Sequence, residues 1–409
     1  MEELLWIALI LGAFLKIISI YFGGIACFAF KKEVEYPSAK KLRRFAVLTA
    51  ARNEAEVIGG FIESIKEQDY PIELFDVFVI PNHCTDNTEE VARAWGAEII
   101  HCPFPVSCKG DALQQAFLQL RKKGYDAYCV FDSDNIVDPD FLLKMNDAFD
   151  AGAKVAKGRQ LAGNPYSSWV SGCYHLYFNL FHLFFNKARG ACGLSAKLVG
   201  TGFAVRKDVL ESLGGWNTTT IAEDAEFSAQ CALLGERVWW VPDAVTYDEQ
   251  PESFRVSLIQ RRRWCSGILQ VGKLYFKPML QRIFKPNPAF AADFSMFLMG
   301  AFGQALSVLP LGLTLLAAIL DGKGGILNFF QVMGAYFILY YCLLSLMAMV
   351  LTFRDEGQLF PPKMRKAILL FPVFMTSFIP LQVISLFKET RSWKEIPHSG
   401  KNKNTIPMV

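Results

Sequence analysis

Hydrophobic and polar positions fall into three regimes along the chain. Residues 4–30 form one apolar run interrupted only by Lys16, longer than the ~20 residues that carry a helix across ~30 Å of hydrocarbon. Three further long apolar stretches occupy about 289–320, 326–353 and 367–387. From about 45 to 250 the pattern changes to short apolar runs alternating with amphipathic ones, the mark of an α/β domain with a largely parallel sheet. FAVLTA (45–50), FDVFVI (75–80), AEII (97–100) and YDAYCVF (125–131) predict strands, with helices near 55–68, 86–96 and 110–123 between them. Two more stretches, near 165–186 and across 253–286, mix aromatic, aliphatic and basic residues as an amphipathic helix on a membrane surface does.

Composition sharpens this division. With 52% hydrophobic residues, 20% charged residues and a mean hydropathy of +0.24, the chain is too apolar for an ordinary soluble protein. Its 42 basic and 39 acidic residues are too many for a bundle wholly in lipid, so a polar domain must carry most of them. A net charge of only +3 argues against nucleic acid as a partner, because phosphate binding shows as a large basic excess. Ten cysteines without C-x-x-C pairs predict reduced thiols rather than a disulfide framework or a zinc site.

The first apolar run begins with Glu2 and Glu3 instead of a basic segment, so it is expected to stay as an anchor. Lys31, Lys32, Lys40, Lys41, Arg43 and Arg44 follow it and place the next domain in the cytoplasm. The expected organisation is a transmembrane helix (1–30), a basic linker (31–44), the polar domain (45–252), interfacial helices (253–286), C-terminal transmembrane helices (287–387) and a basic tail (388–409). Three spans after a cytoplasmic domain leave the tail outside, yet it carries Lys388, Arg391, Lys394, Lys401 and Lys403. Pro372 and Pro380 can break the last stretch into a re-entrant or interfacial element and return the tail to the cytoplasm. The sequence leaves both arrangements open.

In a parallel α/β sheet, ligands bind beyond the carboxyl ends of the strands. TAARNE follows the first predicted strand, PNHCTDNT the second and DSDN the fourth. Asp86 with Glu89 has the spacing of a capping box. Asp132 and Asp134 can share a divalent ion that also holds a diphosphate, or simply cap a turn. No Gly-rich phosphate loop exists, so the charge of a nucleotide must be met by metal and basic side chains. Glu223 and Asp224 open a predicted helix, where a carboxylate can take a proton from a sugar hydroxyl or merely favour the first turn. QRRRW (260–264) sets three guanidinium groups beside an indole, suited to phosphate and to the apolar face of a pyranose. The same segment has eight basic and no acidic residues from Phe254 to Lys285, so it also reads as an interfacial helix. His175 and His182 share a helix face without a carboxylate at the usual offset, which favours surface docking over metal ligation. No G-x-S-x-G elbow exists, and Asn217-Thr218-Thr219 matches a glycosylation sequon on the side expected to face the cytoplasm.

The order TAARNE, KGDAL, DSD, GTGFAVRK, GGW, ED and QRRRW, flanked by membrane spans, resembles the processive membrane-embedded family 2 glycosyltransferases that make cellulose, hyaluronan, chitin or chitooligosaccharide. The likeness covers about residues 45–270. It implies an α/β GT-A-like nucleotide-sugar-binding domain plus an α-helical transmembrane region, a UDP-sugar donor, and Mg2+ or Mn2+ as cofactor. By the resemblance, Glu54 contacts the uracil, and Asn82 stands where the family usually has an aspartate for the nucleotide. Lys109 approaches the nucleotide, Asp132 the ribose or diphosphate, and Asp134 the metal. Asp224, beside Glu223, is the general base, in a motif whose usual threonine is here Ala222. Gly200, Thr201 and Gly202 form a wall by the acceptor, Arg263 neutralises the leaving diphosphate, and Trp264 stacks on the acceptor sugar. The implied function is an inverting transferase at the plasma membrane, its catalytic domain in the cytoplasm, extending a β-linked glycan and aiding its translocation. A non-processive transferase adding one sugar to a lipid-linked acceptor is the alternative, and an inert scaffold is disfavoured by the intact motifs. Four spans make a narrow channel, which a homo-oligomer or partner would widen. The identity of the sugar is not written in the sequence.

Overall fold

The computed structural model describes residues 2–390, so Arg391, Lys394, Lys401 and Lys403 of the expected basic tail lie outside the described residues. Eight strands form one sheet: β1 (Phe45–Ala51), β2 (Phe75–Pro81), β3 (Glu98–Ile99), β4 (Ala127–Phe131), β5 (Ile136–Val137), β6 (Val155–Ala162), β7 (Phe203–Arg206) and β8 (Val238–Asp248). Their order is β3-β2-β1-β4-β7-β6-β8-β5. The four strands predicted from the sequence are all parallel. The other half is mixed: β7 runs antiparallel to β4 and β6, β6 is parallel to β8, and β5 is antiparallel to β8. Every residue of β4 is buried, as expected of a strand covered on both faces.

Helices 58–66 and 141–150 cover one face, where Phe45, Val47, Phe61, Phe131 and Phe141 pack together. On the other face, α1 (Lys109–Leu120) and α2 (Glu223–Leu234) bury Leu113, Phe117 and Phe227 with Leu48, Phe78 and Trp216. Trp216 of the Gly-Gly-Trp turn is therefore a core residue, stacked on Phe227 at 5.4 Å. The strand order reverses between β1 and β4, so the crevice at their carboxyl ends is the topological switch point.

Four helical stretches are long and apolar enough to cross a bilayer: Glu2–Phe30, Ala289–Leu320, Lys323–Glu356 and Arg365–Phe387. Arg189, beside the polar domain, forms a buried ion pair with Asp293 at 2.9 Å, and the Tyr21 hydroxyl donates to the same carboxylate at 2.8 Å. This cluster ties the first and second stretches to the domain, and its mutual satisfaction is what makes the buried charges tolerable. The stretch near 165–186 becomes the helix Trp169–Phe181, capped by Ser168, continuing into a π-helical turn, His182–Lys187. Its apolar face packs on protein: Val170, Cys173, Tyr174 and Phe178 meet Met364, Ile368, Phe371 and Phe374.

The fourth stretch is interrupted at Ser377, between helices Arg365–Thr376 and Phe378–Phe387. The interruption lies three residues before Pro380, whose missing N–H cannot serve the Thr376 carbonyl one turn back. This stretch runs beside α3 (Phe254–Ile283), the helix of QRRRW. Arg261 donates to the Phe374 carbonyl and the Ser377 hydroxyl at 2.8 and 2.7 Å. Further along, Thr390 N–H donates to Ser266 Oγ at 2.8 Å, Gln270 donates to the Thr390 carbonyl, and Lys273 pairs with Glu389.

Candidate active site

The loops at the carboxyl ends of β1, β2 and β4 are locked to one another by side chains. Asn53 adopts a left-handed φ of 56° and its Oδ1 accepts from Thr85 N–H at 2.7 Å. Asp86 accepts from Ala55 N–H at 3.1 Å and from Thr88. Although burial opposes it, these hydrogen bonds hold the Asp86 carboxyl below its ordinary pKa. The expected capping box with Glu89 does not form: helix Thr88–Ala94 starts at Asn87 without a side-chain cap, and Glu89 pairs with Arg93 at 2.9 Å. Asp86 instead joins two loops, an interaction that local spacing does not encode.

At the end of β4, Asp132 N–H donates to Thr201 Oγ at 3.0 Å, and Thr201 donates in turn to Asn135. Asn135 donates to Asp134 and, at 2.7 Å, to Asp248 at the end of β8. Lys109, the first residue of α1, reaches into this group. Its Nζ donates to Asp132 and to the Gly200 carbonyl at 2.9 Å, and stands 3.9 Å from Glu223. Burial disfavours its charge, but Asp132 and Glu223 outweigh that and raise its pKa. Gly200 adopts φ +55° and Gly202 φ +61°, a region a side chain enters only with strain. The turn directs the Gly200 N–H to Asp224 Oδ2 at 2.7 Å, fixing the carboxylate at the start of α2. Neighbouring Glu223 is pushed up to about 7 by burial, with Asp224 and Asp132 adding to the effect and Lys109 opposing it.

These groups open into a cavity of about 690 Å³ lined by Lys109, Asp132, Asp134, Gly200, Glu223, Asp224, Arg263 and Trp264. Eight of the twelve sequence-predicted positions thus share one cavity. Thr201 and Gly202 do not line it and instead brace the wall from behind, Thr201 being fully buried. Glu54 and Asn82 also lie outside its lining: Glu54 N–H donates to Thr88 Oγ at 2.8 Å, and Asn82 N–H donates to the Ala51 carbonyl. QRRRW divides by function. Arg261 is fully buried against the helix break, Arg262 makes one contact of 3.4 Å with the Lys388 carbonyl, and Arg263 faces the cavity. Trp264 is backed by Tyr177, stacked at 6.2 Å, and Gln260 accepts from Tyr174 at 2.6 Å.

The sequence did not single out Lys157, Gln160 or Asp248. Gln160 donates to buried Asp248, and buried Lys157 has an Nζ with no hydrogen-bond partner among the described residues. β6 pairs with β8 through a register break in which Gly158 faces Val241 and Arg159 faces Val245, so the extra residues, 242–244, lie in β8. Burial pushes Lys157 down to about 7, with Asp248 as the chief opposing charge, and pushes Asp248 well up. The acidic run DEQ after VWWVPDAVTY was the one available signal. His175 and His182 are no metal pair: His175 bonds Asp355 at 3.1 Å, while His182 is buried beside Trp240.

Asp132 and Asp134 offer hard carboxylate oxygens. Among the described residues no group of three or more His, Cys, Asp or Glu is placed to hold a metal, so a divalent ion held by Asp132 and Asp134 would take its other ligands from diphosphate and water. That donor set fits Mg2+ or Mn2+, which keep water and phosphate ligands rather than requiring a full protein cage.

The chain is similar to known glycosyltransferases. The chain is 27% identical over 235 residues to a beta-monoglucosyldiacylglycerol synthase of Nostoc sp., covering 54% of this chain and 48% of the relative. It is 25% identical over 264 residues to a poly-beta-1,6-N-acetyl-D-glucosamine synthase of Staphylococcus aureus, covering 61% and 62%. Across the first curated relatives the match spans 47–62% of their length. A mannosyltransferase from Pyrobaculum calidifontis, solved with GDP-Man and Mn2+, superposes with a TM-score of 0.63 at 18% identity, over 91% of this chain and 98% of that one. This likeness establishes the GT-A-like fold. The family model described as glycosyl transferase family group 2 matches residues 129–354, more than half of the chain, from β4 through α3 into the third apolar stretch, and the chain belongs to that family.

Proposed function

We propose that the chain transfers a hexose from a UDP-sugar, with inversion, to a hydroxyl of a membrane lipid. The observation that carries this reading is the shape of the cavity. From the carboxylates it continues between the helices, past Leu15, Ile18, Phe22, Phe297, Gly300 and Phe378. Such walls suit an alkyl chain, whereas a glycan would need hydroxyl-binding groups along its path. Of the polar residues there, Ser19, Gln304, Ser307 and Gln382, three already donate to backbone carbonyls, Ser19 to Leu15, Ser307 to Gln304 and Gln382 to Ala301. The relative named as a beta-monoglucosyldiacylglycerol synthase supports the same acceptor class.

In this reading the acceptor head group lies beside Asp224, which takes the hydroxyl proton as the oxygen attacks the anomeric carbon. The bond from that carbon to the UDP oxygen breaks on the opposite face, and its electrons leave with UDP. Arg263, which has no hydrogen bond or ion pair among the described residues, meets the charge that develops on the diphosphate. Asp132 and Asp134 would hold Mg2+ or Mn2+, which supplies Lewis-acid neutralisation of the same charge. The fourth apolar stretch, bonded along α3, is read as interfacial, which returns the tail to the side of the catalytic domain, the cytoplasm.

Trp264 at the cavity wall favours a second reading, in which the acceptor is the end of a growing β-linked glycan and the indole stacks on its sugar. Product analysis separates the two. Membranes containing the protein are incubated with a panel of UDP-sugars, and UDP release and products are followed. A single sugar on an organic-soluble lipid supports the first reading; a ladder of longer water-soluble products refutes it in favour of the second. No UDP release with any member of the panel refutes both.

A further inference from the structure

A second pocket, of about 50 Å³, shares no lining residue with the catalytic cavity. It holds three cations, Arg159, Lys187 and Arg354, and two carboxylates, Glu33 and Asp355. Both carboxylates have partners. Asp355 accepts from Asn179 and stands 3.1 Å from His175, while Glu33 lies 3.9 Å from Lys187 and accepts from Trp240 Nε1 at 3.5 Å. Arg159 and Arg354 make no hydrogen bond or ion pair among the described residues. Arg159, in β6, lines this pocket.

A separate observation comes from His182, which lines the pocket and is 3% exposed. Its Nε2 accepts from Gln160 N–H at 3.3 Å, which assigns the proton of the neutral ring to Nδ1. Burial, with Lys157 and Arg159 nearby, keeps the ring's pKa well below its ordinary value. Nδ1 is buried without a partner among the described residues. A buried N–H donor lacking an acceptor, beside two unpaired guanidinium groups, calls for an anion.

The location says which anion. Arg354 is in the last turn of the stretch Lys323–Glu356, and Glu33 follows the stretch Glu2–Phe30. Phe30, Val350 and Phe353 are exposed close by in sequence, as residues facing acyl chains are. The pocket has several times the ~10–15 Å³ that one water occupies, enough for a phosphate group and too little for a hexose. We propose that this pocket binds the phosphate of an anionic phospholipid at the membrane surface on the side of the catalytic domain. The site is independent of the transfer reaction, so its test reads lipid retention.

The full-length protein is purified in detergent with an equal mixture of phosphatidylglycerol and phosphatidylcholine of the same acyl chains, and bound lipid is measured by native mass spectrometry. Preferential retention of phosphatidylglycerol is expected. Arg354→Gln, at an exposed position, should lower that preference about fivefold, and Arg159→Gln with Arg354→Gln about 25-fold. His182→Phe keeps the stack on Trp240 and removes the donor without changing charge, and should lower it about tenfold. Melting temperature is recorded for each variant, and Arg354→Gln alone decides the question if the others fail to fold. Lys277→Gln with Lys285→Gln removes two charges from α3 and its flank, and should leave the preference unchanged. Equal retention of both lipids, or an equal loss in that control pair, overturns the proposal. So does stabilisation by millimolar inorganic phosphate without phosphatidylglycerol preference, which would assign the pocket to a soluble anion.

Discussion

The three adjacent arginines of QRRRW should fail in three different ways when replaced by alanine. Arg261 is fully buried, donates to Ser257 Oγ at 3.0 Å, to the Phe374 carbonyl at 2.8 Å and to Ser377 Oγ at 2.7 Å, and lies 3.9 Å from the centre of the Phe374 ring. Removing it leaves the Ser377 oxygen without its donor, at about 1–3 kcal/mol for an unsatisfied group, while the Phe374 carbonyl keeps the Ser377 hydroxyl at 2.6 Å. With the space left by the side chain, Arg261→Ala should lose about 3–5 kcal/mol of stability. Arg262 makes only the 3.4 Å contact to the Lys388 carbonyl, so its alanine variant should stay within about 0.5 kcal/mol of the parent. Arg263 makes no hydrogen bond or ion pair among the described residues and faces the cavity. Arg263→Ala should therefore melt as the parent does and transfer sugar about 10²–10³-fold more slowly, the usual effect of losing one donor to developing charge. Thermal melting in detergent, followed by tryptophan fluorescence, and UDP release at saturating donor would be measured side by side. The assignment fails if Arg263→Ala retains parental turnover, or if Arg261→Ala loses turnover with an unchanged melting curve.

Further outcomes follow from the same site. Asp224→Asn preserves an acceptor for the Gly200 N–H but not the base, so transfer should fall by about 10²–10⁴ while calorimetry finds UDP affinity nearly intact; sustained turnover removes Asp224 from the mechanism. Asp134→Ala should weaken UDP binding with Mn2+ present and change it little in chelator, and equal affinities in parent and variant would discredit the metal site. Glu223 has its folded pKa raised by burial to about 7 from an ordinary 4.5, so the folded state holds its proton more tightly than the unfolded chain. The stability this contributes is complete below about pH 4.5 and is lost as pH rises through about 7, a few kcal/mol at most. Glu223→Gln should accordingly raise the melting temperature at pH 8.5 and leave it near the parental value at pH 4.5; parallel melting curves across that range would contradict it.

What the sequence displayed and what it hid follow a physical division. β1, β2 and β4 were legible because strands buried inside the sheet read as unbroken apolar runs, and the motifs after them inherit their place from βαβ geometry. The Asp132, Asp134, Lys109 and Asp224 constellation was accessible through residue order, since each motif sits at a strand end or helix start that periodicity locates. Lys157, Gln160 and Asp248 were not. They meet because β6 and β8 pair in parallel across about 80 residues, with a register break that inserts residues 242–244 in β8; neither the pairing nor the break leaves a local signature. QRRRW shows the same limit inside five residues. Three identical side chains are separated into strut, surface group and cavity group by a helix 100 residues downstream, and chemistry alone could not rank them. The fourth apolar stretch is the complementary case, because hydropathy measures what a segment avoids and not what it meets. A helix beside α3 and Trp169–Phe181 needs as many apolar residues as one in lipid. What distinguishes it is the polar exceptions at the break, the Phe374 carbonyl and the Ser377 hydroxyl, which have meaning only once Arg261 is seen to reach them.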